Sequence, residues 1–419
     1  MTNFKINKIE LWKLVFIPIL FLYIYVPTFY GIGGLTKIYL LFAGFYFLFN
    51  YKKLIKFFLN SYIFFMAFFM VVIVLITRLI PLIFETYDFS FNNYFLVSLA
   101  INLPLTFLIL SFFDKKINFK FEDILNAFFI IGIIQAIFIL MDWFIPSFRN
   151  FLQAILVIDF DIETSIRATG LSYGTGDALS FIQAFSFLCG LYIIYYKKQY
   201  FINIVFLALI FISIMFIGRT GIVIAIIGTI LYSLSLIKDN FFLIIKFFLI
   251  SLFLLIIFVF IGFQISDERF LRIINWAFEF YFSFANDGTF ETSTTNILRD
   301  MYFLPTKELT ILFGEGHYLH PYDKDINYIP SDSGYIRTIF FGGFFTLILL
   351  ILFYLYILFI FKKFLTNKEF IFIFVFFILL FIIQYKIPIL YYGTTMRMIF
   401  VLLIISYFIK YKNLEYEKE

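Results

Sequence analysis

Apolar residues fall in long runs separated by mostly short polar gaps, at roughly 14–30, 36–50, 57–80, 94–113, 122–144, 178–196, 201–217, 220–237, 241–264, 336–361, 369–385 and 394–410. A helix of about 20 apolar residues crosses the hydrocarbon core of a bilayer. The pattern therefore predicts an all-α, polytopic helical membrane protein with about twelve transmembrane helices. Two gaps are long, 145–177 and 265–335, and loops of that size in compact proteins carry function or stay disordered. No internal repeat, low-complexity linker or separate soluble domain interrupts the pattern, so 1–419 reads as a single integral membrane domain.

The second long gap is not uniformly polar. After Ser266, a candidate N-cap, Glu268, Arg272, Asn275 and Glu279 recur at helical spacing among Phe270, Leu271, Ile274, Trp276 and Phe278. One polar stripe on an apolar helix predicts a segment lying flat on a membrane or roofing a cavity. Composition agrees with the runs: 63% of residues are hydrophobic, 24% aromatic and 14% charged, with a mean hydropathy of +1.00. No small-residue cleavage site follows the Lys-bearing start, so residues 1–13 read as a retained flank of the first span. Cys189 is the single cysteine, which excludes an intramolecular disulfide.

The two cations are distributed differently. With the N-terminus placed in the cytoplasm, the inner flanks hold 19 of the 32 basic residues, all lysines, from Lys5, Lys8 and Lys13 through Lys362, Lys363 and Lys368 to Lys410, Lys412 and Lys418. Lys and Arg concentrate in cytoplasmic loops, so both termini are expected on that side. All nine arginines fall at or beyond the outer face in this topology: Arg78, Arg149, Arg167, Arg219, Arg269, Arg272, Arg299, Arg337 and Arg397. A chain that uses lysine by default keeps arginine where a planar, permanently charged fork is needed for phosphate or carboxylate oxygens. The blander reading of any one outer arginine is a snorkelling anchor.

Ionisable residues avoid the centres of the runs, which disfavours proton- or sodium-coupled transport. They gather at the outer ends, in three clusters. The first is RATGLSYGTGDA, from Arg167 to Ala178, where Gly170, Gly174 and Gly176 permit close backbone approach and Asp177 is placed to cap the following helix. Glycines and an arginine beside a helix N-terminus suit an anion, although the GK[ST] ending of a nucleotide-hydrolase loop is missing. The second is FIGRTG at 216–221, a connector so short that Arg219 is held at the mouth of two spans. The third runs from Asn296 to Gly343 and holds Arg299, Glu315, His317, His320, Asp323, Asp325, Asp332 and Arg337. A His or carboxylate there is a candidate general base. Asp323 and Asp325 are too few oxygen ligands for a hard cation, so neither a metal nor a cofactor is expected.

At its end, YIPSDSGYIRTIFFGG sets Ser331, Asp332, Ser333 and Arg337 at the start of an apolar run. Helix capping accounts for the serines and the aspartate. It does not account for Arg337, because a cation in the first helical turn opposes the positive end of the helix dipole. An anionic ligand held between them would resolve the conflict.

In the order RATGL, GRTG, a large outer loop with Arg299 leading to GEG at 314–316, and SDSGYIRTIFFGG, the chain resembles the O-antigen polymerase and ligase family of bacterial membrane proteins over roughly residues 120–365. That resemblance implies an all-helical glycosyltransferase of the GT-C type that joins undecaprenyl-diphosphate-linked oligosaccharide repeat units outside the cytoplasmic (inner) membrane. It implies a lipid-linked donor and acceptor as partners, with membrane lipids, a chain-length regulator and a flippase around it, and no nucleic acid. It casts Arg167, Arg219, Arg299 and Arg337 as groups that engage diphosphate or developing charge, with His317, Glu315 or Asp332 as the base. The ligase pattern of a histidine followed by a polar residue, with a glycine at fixed spacing, is not met at His317-Tyr318 or His320-Pro321, which favours polymerase. The alternatives are a ligase of finished glycan, a lipid-linked oligosaccharide flippase, or a structural partner of assembly enzymes.

Overall fold

A computed structural model describes residues 8–31, 33–157, 167–172, 176–197, 200–235, 279–288, 293–323 and 326–416, together with Arg272 and Asn275. The chain is nearly all-α. In order, the described helices are α1 (Lys8–Tyr25), α2 (Thr36–Phe58), α3 (Ser61–Ile83), α4 (Ser90–Val97), α5 (Leu103–Ile117), α6 (Phe121–Phe144), α7 (Pro146–Ile155), α8 (Gly176–Lys197), α9 (Tyr200–Ile217) and α10 (Arg219–Ser235). They continue with α11 (Glu279–Asp287), α12 (Ser293–Asp300), α13 (Glu308–Phe313), α14 (Gly334–Phe364), α15 (Asn367–Gln384) and α16 (Gly393–Tyr416). Among the described residues, eight helical stretches are long and apolar enough to cross a membrane, and α9 and α10 are shorter apolar helices. These stretches are what membrane embedding requires, since backbone polar groups in lipid must be satisfied within the segment. The apolar run at 241–264, Ser266 and Glu268 lie outside the described residues.

Two compact units are built from interleaved pieces of chain, 1–37 with 119–292 and 38–118 with 293–419. In the first, α6, α8, α9 and α10 pack tightly because small residues stand at their crossings. A Cβ on Gly190 would collide with the Phe129 ring, and one on Gly221 with Ser180 and Ile214. Close backbone approach of this kind drives helix association where no hydrophobic effect operates between helices. Gln183 of α8 adds buried hydrogen bonds, donating to Ser213 Oγ at 3.0 Å and to the Gly132 carbonyl at 3.2 Å, and accepting from the Tyr25 hydroxyl at 2.6 Å. A feature the helical pattern did not foresee is a small antiparallel ribbon, Thr28–Phe29 with Gly33–Gly34, beyond the end of α1.

In the second unit the predicted run at 94–113 is part of a longer helical stretch, Ser90–Ile117, in which α4 and α5 are joined by a turn of π-helix at Ser98–Asn102. A larger departure is a break within α14. Gly342 and Gly343 leave helical geometry, Gly343 with φ +66° and ψ −175°, so the helix divides after a first segment of two turns. In an unbroken helix the carbonyls of Phe340 and Phe341 would accept from residues 344 and 345. Here they accept instead from the N–H groups of Glu315 at 2.7 Å and Gly316 at 3.0 Å. The GEG turn thus satisfies carbonyls that an apolar surrounding would leave bare.

Candidate functional site

The first segment of α14 carries Arg337 one turn into the helix. Its side chain is 8% exposed, and its guanidinium stacks on the Tyr318 ring, 4.0 Å from the centroid. The phenols of Tyr391, Tyr392 and Tyr94 complete its electrostatic surroundings. No carboxylate pairs with it among the described residues, and its Nε is buried without a hydrogen-bond partner. A buried charge is ordinarily paired or coordinated, so this cation stands out.

Capping follows a different course from the one expected. Ser333 occupies the N-cap position but makes no side-chain cap. Its hydroxyl donates instead to the Tyr302 hydroxyl at 2.9 Å, and Tyr302 in turn donates to the Tyr385 carbonyl at 2.7 Å. Ser331 is turned to the Met301 carbonyl at 3.0 Å and also accepts from Ser333 N–H. Asp332 is exposed and accepts from Asn327 at 3.3 Å. The N-terminal amides of α14 therefore receive no side-chain oxygen from Ser333.

The base candidates are sorted by this geometry. Glu315 accepts from the Tyr328 hydroxyl at 2.9 Å and from the Thr310 hydroxyl at 3.2 Å, and the His317 ring stacks on Tyr328 with centroids 4.7 Å apart. Glu315, His317 and Tyr328 form one cluster, while Asp332 bonds to Asn327, the residue before Tyr328 in sequence. Burial and then the bond to Glu315 push the Tyr328 phenol up to about 12, so it stays a donor at neutral pH. The Nδ1 atoms of both His317 and His320 are buried and lack partners. Arg299 lies exposed in the last turn of α12. Its carbonyl accepts from Tyr302 N–H at 3.2 Å.

A residue that the sequence reading passed over fixes this loop. Asp88, between α3 and α4, accepts N–H bonds from Tyr318 and Leu319, both at 2.7 Å, and from Ser90 at 3.0 Å. Thr86 beside it donates to the Gly316 carbonyl at 2.7 Å. Burial alone would raise the Asp88 carboxyl, but the Leu319 amide, the Ser90 hydroxyl and amide and the Tyr318 amide outweigh it and hold the pKa below the ordinary value. Asp88 sits in a short connector, ETYDFS at 85–90, with no motif around it, and nothing set it apart from the neighbouring Glu85, Thr86 and Ser90.

Arg167 and Arg219 belong to the other unit. The segment 168–170 is tied to α6: Asp142 accepts from the amides of Thr169 at 2.8 Å and Gly170 at 3.2 Å, and Gln135 donates to the Thr169 carbonyl at 2.9 Å. This places Arg167 over the start of α8, where a Cβ on Gly176 would stand 2.9 Å from Arg167 Nη1. Asp177 lies inside the first turn of α8, not before it as the capping expectation required, and its carboxylate accepts from Thr220. Arg219 opens α10, is 9% exposed and pairs with Glu279 at the start of α11. The polar stripe predicted through Glu279 thus supplies that arginine's counter-ion, while Arg272 and Asn275 are exposed.

Of the seven candidate residues, two lie in one unit and five in the other. Within the second unit Glu315 and His317 come together, Arg337 meets the same loop through Tyr318, and Arg299 stays exposed. Among the described residues no group of three or more His, Cys, Asp or Glu side chains is assembled to hold a metal ion, and Asp325 lies outside them. No family model matches the chain, no curated protein does, and no solved structure does.

Proposed function

We propose that the chain is a membrane glycosyltransferase of the O-antigen polymerase type, joining undecaprenyl-diphosphate-linked repeat units at the outer face of the bacterial inner membrane. The observation that carries this reading is Arg337, a buried guanidinium without a carboxylate partner among the described residues, in the first turn of a helix whose own dipole disfavours it. A diphosphate at that turn would be met by a fixed fork and by helix N–H groups. The donor's leaving group departs with its negative charge and needs little protonation, so the arginine stabilises charge that grows in the transition state. The acceptor hydroxyl then needs only a base. Glu315 is the better placed of the three candidates, being aimed by two hydroxyl donors beside the His317 ring.

Twelve spans, a GT-C-like arrangement, cytoplasmic termini and an outer-face site are parts of the same proposal, supported by the apolar helices and by the separation of lysine from arginine. In cells, Arg337→Lys, which keeps the charge and loses the fork, is expected to shorten or abolish long glycan chains while the protein still inserts. An unchanged polymer ladder from that variant would remove Arg337 from the mechanism.

A further inference from the structure

The start of α14 strands a second donor. Gln384, the last residue of α15, is 0% exposed and uses only one end of its amide. Its Oε1 accepts the Leu390 N–H at 3.0 Å, which fixes the amide's orientation, and its Nε2 is buried with no partner. That nitrogen is aimed at the first residue of α14, since a Cβ on Gly334 would collide with Nε2 and Cδ of Gln384. Arg337, with its own bare Nε, is three residues further along the same turn. Ser333 adds no side-chain acceptor. The turn therefore gathers helix amides that Ser333 does not cap, a guanidinium and a primary amide, all of them donors, and among the described residues Arg337 Nε and Gln384 Nε2 have no acceptor.

A buried donor left unmade costs about 1–3 kcal/mol, and this turn carries two of them at the positive end of a helix. We infer that Gln384 is a ligand-binding residue, donating from Nε2 to an oxygen of the phosphate-type anion whose charge Arg337 meets. This rests on the anion-binding reading of Arg337 given above. Gln384 supplies what a second cation would not: it counts oxygens without adding charge, so the pair suits an anion with several oxygens, a phosphate or diphosphate.

The test is a titration of the purified full-length protein in detergent with farnesyl diphosphate and, separately, with inorganic pyrophosphate. Gln384→Glu keeps an oxygen for Leu390 and puts a negative charge where the donor stood, so it is expected to weaken binding by about tenfold or more, a change of about 1.4 kcal/mol. Gln384→Met, neutral and without a donor, serves if the glutamate variant fails to fold, and is expected to weaken binding about threefold to tenfold. Preference for the prenyl compound identifies a lipid headgroup as the source of the anion, and equal binding identifies a soluble one; both support the assignment. Wild-type affinity in the Gln384 variants, with Arg337→Lys weakened, would overturn the role of Gln384 and leave the arginine's intact. Failure of the wild-type protein to bind either probe would overturn both.

Discussion

Arg337 and Asp88 show two ways in which single residues define the site. Arg337 was legible as an anomaly: a cation in a first helical turn, in a chain that prefers lysine, conflicts with its own helix. Its stacking on Tyr318 was not legible, because that contact depends on a loop held by Asp88, more than two hundred residues away in sequence. Asp88→Ala leaves the Tyr318 and Leu319 amides without their acceptor, and each hydrogen bond to a charged group contributes about 1.5–3 kcal/mol. A lowered melting temperature is expected for Asp88→Ala, with partial recovery in Asp88→Asn, whose carbonyl still accepts. The pH response follows from the depressed pKa. Its stabilisation is complete above the ordinary carboxylate pKa of about 4 and is lost as pH falls through the lower folded value. Wild-type protein should therefore lose melting temperature below about pH 4 more steeply than Asp88→Asn. Parallel curves would show that the Asp88 charge does not hold the loop.

Among the elements, length and apolarity marked the helices well where the run was uninterrupted. The runs at 57–80, 122–144 and 369–385 correspond to α3, α6 and α15, with ends shifted by a few residues. What hydropathy missed was irregularity inside apolar stretches, the π-turn at Ser98–Asn102 and the break at Gly342–Gly343. Both are changes of hydrogen bonding that leave apolar content untouched. The break depends on Gly343: its φ of +66° suits glycine, and a Cβ there would collide with the backbone of Leu312 and Phe313. Gly343→Ala is expected to cost about 1–3 kcal/mol or more from backbone strain and to detach the GEG turn. Gly44→Ala in α2, where nothing stands within 4 Å of the added Cβ, is expected to be harmless. Equal thermal stability of the two variants would contradict the role given to the break.

For the whole molecule, the interleaving of 1–37 with 119–292 and of 38–118 with 293–419 could not be read from hydropathy, which records where helices are and not which ones meet. The division of cations was visible from the start, and it makes a testable statement about topology. Cys189 is buried, so after Cys189→Ser the chain offers a clean background for single cysteines. A cysteine placed at Tyr322, which is 95% exposed, is expected to react with a membrane-impermeant maleimide on intact cells. One placed at Lys363 is expected to react only after permeabilisation. Reversed labelling would put the proposed site on the wrong face for an outer-leaflet polymerase.

The most direct measurement is incubation of the purified protein with a defined undecaprenyl-diphosphate-linked repeat unit, with products resolved by size. A ladder of carrier-linked multimers from wild-type protein, strongly reduced for Arg337→Lys, is the expected result. Unextended single units from a folded wild-type protein that binds the substrate would contradict polymerisation by this chain.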